Sequence, residues 1–204
     1  HALVTQTHTP RNQIRQAGWW QGGIEVIPPG VDEDWRPLPG DERARARQEL
    51  GFQPEDFVIA YFGSPAPLRG LPALVEAVAD ARRRDARLRL LVVSRRRQGE
   101  LQSEDRFLAS LAQAPRREYV HLLDGFLDPP ALVRAVSAAD CAALPFELVP
   151  SDAPLSLLEA QALGLPLVTT RTACLPELAS RGEHYLAEPG DIGSLAAALL
   201  RAAR

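Results

Sequence analysis

Two stretches of the chain combine residue types that bind anions. The first, Gly63-Ser64-Pro65-Ala66-Pro67-Leu68-Arg69-Gly70, leaves the apolar run 57–62 and opens a helix. A glycine lets backbone approach a ligand, a hydroxyl donates to an anion, and an arginine at a helix start pairs bidentately with phosphate. The spacing fits neither the dinucleotide fingerprint nor the P-loop pattern. The second stretch is 150–164, where Ser151 or Asp152 is expected to cap a helix with Pro154 in its first turn. Asp152, Ser156 and Glu159 then fall at i, i+4 and i+7, a polar line on a cylinder otherwise built from Leu155, Leu157, Leu158, Ala160 and Leu163. A helix this apolar is expected to be buried, and a buried carboxylate needs a specific partner. Two readings stay open for Glu159: it bonds a neighbouring amide or arginine, or it accepts hydrogen bonds from ribose hydroxyls while the helix N-terminus holds phosphates.

The elements that must position these residues follow from periodicity. Apolar runs recur at 57–62, 88–93, 119–123, 140–145, 166–170 and 184–187, and each reads as a strand. Between them the period turns helical. Leu71, Leu74, Val75 and Val78 form one stripe within 69–83, and similar stripes run through 101–113, 129–137 and 191–203. Strands alternating with amphipathic helices need crossover connections, so the expected fold is α/β, a doubly wound, mainly parallel six-stranded sheet of Rossmann-like type. In such sheets ligands bind beyond the carboxyl ends of the strands. The turn Asp124 to Pro129, with Phe126 and Leu127, leaves the 119–123 strand on that side; it offers backbone groups and a ring to a flat base, or serves as a turn in which Asp128 caps the next helix. Residues 2–6 read as a strand, 10–17 as a short helix and 24–27 as a second strand, after which four prolines between 28 and 40 mark a stiff connector.

Composition excludes several classes. The 204 residues carry 23 basic and 26 acidic side chains, and every basic one is arginine. A net charge of −3 with a pI near 5.9 argues against a broad nucleic-acid-binding surface. With 46% hydrophobic and 24% charged residues the chain has the composition of a folded domain, and no apolar run reaches the ~18 residues of a membrane span. Cys141 and Cys174 stand in separate apolar contexts and read as buried thiols. The histidines at 1, 8, 121 and 184 share no ligand spacing, and no hydrolase or zinc-protease motif occurs. The chain opens His1-Ala2 and contains no methionine, which suggests a piece of something longer.

Taken together, several segments resemble the carboxyl-terminal, nucleotide-sugar-binding domain of the family-4 retaining glycosyltransferases with the GT-B fold. They are Val26-Ile27-Pro28-Pro29-Gly30-Val31-Asp32, similar to the family's IPNGVD linker; Tyr61-Phe62-Gly63 with Arg69-Gly70, similar to its phosphate loop; Val120 to Phe126; Leu155 to Gly164 with Pro166 to Thr170; Leu175-Pro176-Glu177-Leu178; and Glu188-Pro189-Gly190-Asp191. The likeness covers about residues 24–204. It implies that 1–23 is a remnant of a preceding acceptor domain, 24–40 an interdomain linker, and 41–204 the donor-binding domain. It further implies a nucleotide-diphosphate sugar as substrate, UDP or GDP being the expected carriers, with no cofactor and no metal. The diphosphate would lie on Gly63, Ser64, Arg69 and the segment Ser151, Asp152, Leu155, Ser156, the base near Phe126 and Leu127, and the ribose on Glu159. Arg69, Glu159 and Asp152 are the groups expected to serve catalysis. The implied setting is cytoplasmic, with room for peripheral membrane contact at the inner face through the absent amino-terminal domain, and no nucleic acid partner.

The chain departs from the family at defined places. Ser64 stands where an arginine is expected, Arg69 where a lysine is, and Ser151 where a glutamate precedes Glu159 by eight residues. One of Arg95, Arg96 and Arg97 is expected to supply the missing cation near the diphosphate. Asp32-Glu33-Asp34 matches the D-x-D metal pattern of another class of sugar transferases, but it lies in the proline-rich connector and not at a strand end.

Overall fold

Strands buried on both faces read as continuous apolar runs, and the runs 57–62 and 140–145 become the central pair of the sheet. The computed structural model describes residues 1–94 and 102–204. It begins with a small βαβ unit: β1 (Leu3–Thr5), α1 (His8–Gln16) and β2 (Ile24–Val26), in which β1 and β2 pair in parallel. Residues 27–39 then carry no helix or strand before α2 (Gly40–Glu49). This stretch is more than a connector, because Trp35 is buried in the main core and its ring stacks on Phe62 at 5.8 Å between centroids.

The main sheet comprises β3 (Phe57–Gly63), β4 (Leu88–Ser94), β5 (Val120–Asp124), β6 (Cys141–Leu144), β7 (Leu167–Thr170) and β8 (His184–Ala187). Its order is β5-β4-β3-β6-β7-β8 and every pairing is parallel. All six strands expected from the apolar runs are present. The crossovers are α3 (Leu71–Ala81), α4 (Gln102–Leu111), α5 (Pro129–Ser137), α6 (Leu155–Ala162) and α7 (Leu175–Ala179), and α8 (Ile192–Ala202) closes the chain by packing on α3. The stripe read from the sequence is the buried face of α3: Leu71, Leu74, Val75 and Val78 are all fully enclosed. Asp128 accepts a hydrogen bond from the Ala131 amide at 2.8 Å and so caps α5.

The chain builds outward from β3 through β4 to β5, then returns to place β6 on the other side of β3. The reversal leaves a crevice at the carboxyl ends of β3 and β6, the topological switch point at which open α/β sheets bind ligands. At the opposite end of the same two strands, Asp140 fastens α2: it pairs with Arg43 at 2.6 Å and Arg47 at 2.9 Å and accepts the Val58 amide at 2.7 Å. Among the described residues no helix is long and apolar enough to cross a membrane.

Candidate functional site

Gly63 ends β3 with φ +125°, and Gly70 opens α3 with φ +78°, both in backbone regions that side chains disfavour. Between them Pro67–Arg69 forms one turn of 3-10 helix. The loop is pinned to the segment leaving β6. The amides of Glu147 and Leu148 donate to the Leu68 carbonyl at 2.9 and 3.1 Å, and a Cβ on Gly70 would stand 2.0 Å from the Pro145 carbonyl oxygen. Only glycine permits that approach. Within the loop the Tyr61 hydroxyl donates to the Ser64 carbonyl at 2.6 Å and the Ala66 amide to Ser64 Oγ at 3.3 Å.

Arg69 crosses the crevice from this loop. Its Nη2 donates to Ser156 Oγ at 3.4 Å, and its guanidinium lies over the Phe146 ring, 5.0 Å from the centroid. Gly63 leaves room for it: a Cβ there would come within 3.2 Å of Nη1. Among the described residues Arg69 makes no ion pair with a carboxylate. A half-buried cation without a carboxylate partner among the described residues, next to the positive end of α6, makes this corner of the crevice electropositive. Glu159 follows Ser156 by three positions, hence on the same helix face, and is half-buried. The structure therefore brings Gly63, Arg69 and Ser156 to one crevice, with Glu159 one turn further along α6. Leu155, the first residue of α6, is exposed.

Other expected site residues lie farther out. In register, Gly63 pairs with Ser94 and Ser94 with Asp124, so the Phe126-Leu127 turn sits two strand spacings from Gly63, about 10 Å. Phe126 is exposed, whereas Leu127 packs partly against the core. Arg95, Arg96 and Arg97 lie outside the described residues.

The expected cap of the 150–164 helix is corrected. α6 starts at Leu155 with Pro154 at its N-cap and no side-chain cap bond, so neither Ser151 nor Asp152 caps it and Asp152 is not in the helix at all. Pro154 supplies no hydroxyl or carboxylate, and the Asp152 carboxylate has another task. It accepts the Gln6 amide at 3.2 Å, while the Thr7 hydroxyl donates to the Asp152 carbonyl at 3.2 Å. Ser151 is exposed. Asp152 thus ties the β1-to-α1 turn to the loop before α6, on the approach to the crevice.

The roles of two residues escaped the sequence reading. Phe146 follows the 140–145 run directly, and an aromatic at the carboxyl end of a strand on the ligand side was the available signal. Glu177, on α7, accepts the His8 and Thr9 amides and the Thr9 hydroxyl. Burial would raise its pKa, but these donors and the nearby His8 outweigh burial and hold it below the ordinary carboxylate value. Nothing in the sequence links Glu177 to residues so far upstream. The cysteines are free and buried as expected; burial pushes the Cys141 thiol far up and the Cys174 thiol up to about 11. His121 has its pKa lowered by burial and packs edge-on against Phe52. Among the described residues no group of three or more His, Cys, Asp or Glu side chains is arranged to hold a metal ion.

The family model described as Glycosyl transferases group 1 matches residues 56–204. A D-inositol 3-phosphate glycosyltransferase of Segniliparus rotundus is 36% identical over 154 residues, covering 75% of this chain and 33% of that protein. This chain therefore spans about a third of that relative's length. Among solved structures, Anabaena Alr3699/HepE in complex with UDP and glucose superimposes with a TM-score of 0.80 at 22% identity, over 97% of this chain and 52% of its own. The C-terminal domain of a group 1 family glycosyl transferase, LpcC of Francisella tularensis, gives a TM-score of 0.66 at 17% identity over 83% of this chain and 86% of its own. The six-stranded parallel sheet is the fold of GT-B glycosyltransferase structures, and the chain belongs to the group 1 glycosyl transferases.

Proposed function

We propose that this chain is the donor-binding part of a family-4 retaining glycosyltransferase, which moves a sugar from a nucleoside-diphosphate sugar to an acceptor. In this reading 1–23 is a remnant of a preceding acceptor domain, 24–40 a linker and 41–204 the nucleotide-sugar domain. The observation that carries it is the Arg69 guanidinium, without a carboxylate partner among the described residues, at the switch-point crevice beside the start of α6. The sugar's anomeric bond to the diphosphate breaks and an equivalent bond to the acceptor oxygen forms on the same face. The acceptor's proton leaves with the nucleoside diphosphate. Negative charge builds on the departing diphosphate, where Arg69 and the α6 dipole stabilise it without a metal ion or cofactor. Glu159 receives the ribose hydroxyls and Phe126 and Leu127 flank the base; Ser64, Ser151 and Asp152 line the approach. The acceptor side belongs to an amino-terminal domain outside this chain, so these 204 residues bind nucleotide and transfer little sugar. The reading places the protein in the cytoplasm, reaching the inner membrane face through the absent domain.

A second reading rests on a specific observation. Ser64 stands where the family resemblance calls for a cation, and its hydroxyl already accepts the Ala66 amide. A non-catalytic nucleotide-binding or interaction domain would tolerate that loss. Calorimetric titration of UDP, GDP and ADP and of their glucose or mannose conjugates separates a donor site from an interaction domain, and tighter binding of a sugar conjugate than of its diphosphate separates it from a site for the nucleotide alone. Binding that weakens in Arg69→Ala and in Glu159→Ala supports the donor-site reading. Absence of binding at millimolar nucleotide overturns it.

A further inference from the structure

An arginine without an ionic partner among the described residues is costly to hold still, since its long side chain has many rotamers to lose. Arg69 has one long hydrogen bond, to Ser156 Oγ at 3.4 Å, and that contact alone does not fix a guanidinium. Among the described residues the other constraint is the Phe146 ring beneath it. The ring is enclosed and its backbone anchored: Phe146 is 1% exposed, its amide donates to the Leu144 carbonyl at 3.0 Å, and its carbonyl accepts the Thr170 hydroxyl from β7. A carboxylate in the same place would neutralise the cation and compete with an incoming anion. An aromatic face attracts the cation through its quadrupole and leaves the in-plane N–H donors available.

From this geometry we infer that Phe146 is a positioning residue: its ring holds the Arg69 guanidinium at the crevice, charged and without a carboxylate partner among the described residues, ready to receive a phosphate. The inference rests on the donor-site reading above only for the identity of the anion; the ring-on-cation relationship stands apart from it. Gly63 completes the seat, because any side chain there would crowd the guanidinium. Phe146 acts through Arg69.

The test uses the whole 204-residue chain with Phe146→Leu, Phe146→Tyr and Arg69→Lys variants. The Nε–Hε proton resonance of Arg69, assigned by its loss in Arg69→Lys, is expected at the upfield edge of the arginine group because it lies over a ring. It should return to the bulk position in Phe146→Leu and stay upfield in Phe146→Tyr. Affinity for UDP, GDP or ADP, whichever binds, is expected to fall about five- to thirtyfold in Phe146→Leu and to recover in Phe146→Tyr, while the parent nucleoside binds all variants alike. If the wild-type chain binds no nucleoside diphosphate, the donor-site reading fails and the resonance still decides the role of Phe146. An unshifted wild-type Arg69 resonance overturns the inference, and this needs no Phe146 variant to fold. Unchanged diphosphate affinity in a folded Phe146→Leu also overturns it.

Discussion

Glu177 caps α1 through Thr9, 168 residues upstream: its Oε2 accepts both the Thr9 amide at 2.9 Å and the Thr9 hydroxyl at 2.8 Å. Oε1 takes the His8 amide at 2.7 Å. Thr7, at the N-cap position itself, makes no side-chain cap bond because its hydroxyl donates to Asp152. Helix α1 buries no residue, so its start is held by hydrogen bonds from the α6 approach and α7 more than by packing.

That arrangement predicts a pH-dependent dock. The folded-state pKa of Glu177 lies below its ordinary value, so the stabilisation is fully present above the usual carboxylate range, roughly pH 4.3. It is lost as pH falls through the lowered value. The Thr9 amide resonance should shift as pH falls below about 5, as Glu177 takes up its proton. Glu177→Ala should cost about 1–2 kcal/mol of α1 docking, read as faster proteolysis within 8–16, and should remove this acid transition. A Thr9 amide that keeps its response below about pH 5 in Glu177→Ala would show that another group holds α1.

Arg69→Ala should weaken nucleoside-diphosphate binding by about 1.5–3 kcal/mol, roughly ten- to a hundredfold. The parent nucleoside should bind unchanged, because the lost contact is to phosphate. Arg69→Lys keeps the charge but not the planar fork, so an intermediate loss is expected. Calorimetry with both ligands reads the difference, and an equal loss for nucleoside and diphosphate would place Arg69 away from the phosphates.

The fold was largely legible because strand and helix periods alternate cleanly, and six apolar runs mapped to six parallel strands. The Gly63-to-Gly70 loop and the Ser156-Glu159 face were legible too, since they sit at a strand end and at a helix start. What escaped depends on contacts distant in sequence. Helix α2 buries only Ala46 and gives no apolar stripe; it is held by Arg43 and Arg47 on Asp140. Asp152 looked like a helix cap because its type and position suit one, yet partners 146 and 145 residues away, Gln6 and Thr7, claim it. Trp35 sits among prolines, which mark a connector, and only the tertiary fold turns its ring onto Phe62.

Gly70→Ala tests how tightly the loop is seated. The residue holds φ +78°, where a Cβ costs about 1–2 kcal/mol, and that Cβ would overlap the backbone carbonyl of Pro145. The loop must then move away from the β6 exit and release the Glu147 and Leu148 amides from Leu68. A total cost of about 3 kcal/mol, read as a melting temperature lower by roughly 6–12 °C, is expected. Because Arg69 is the adjacent residue, diphosphate affinity should fall along with stability. A stable Gly70→Ala with unchanged affinity would mean that the loop has another resting position.

Asp140→Asn tests the far end of the same two strands and should separate stability from binding. The carboxylate joins α2, β3 and β6 through Arg43, Arg47 and the Val58 amide, and the Arg47 side chain is 11% exposed. Asparagine keeps one carbonyl acceptor but leaves a nearly buried guanidinium without its counter-charge, and its NH2 faces that guanidinium as a second donor. The carbonyls of Ala138, Ala139 and Asp56 still accept from the two arginines, which limits the damage. A loss of about 2–3 kcal/mol in denaturant unfolding is expected, with α2 amides exchanging first. Asp140 lies at the amino ends of β3 and β6 and Arg69 beyond their carboxyl ends, so the folded variant should bind nucleoside diphosphate as the parent does. Loss of binding in a variant that remains folded would show that the position of α2 is transmitted along β3 to the Gly63 loop.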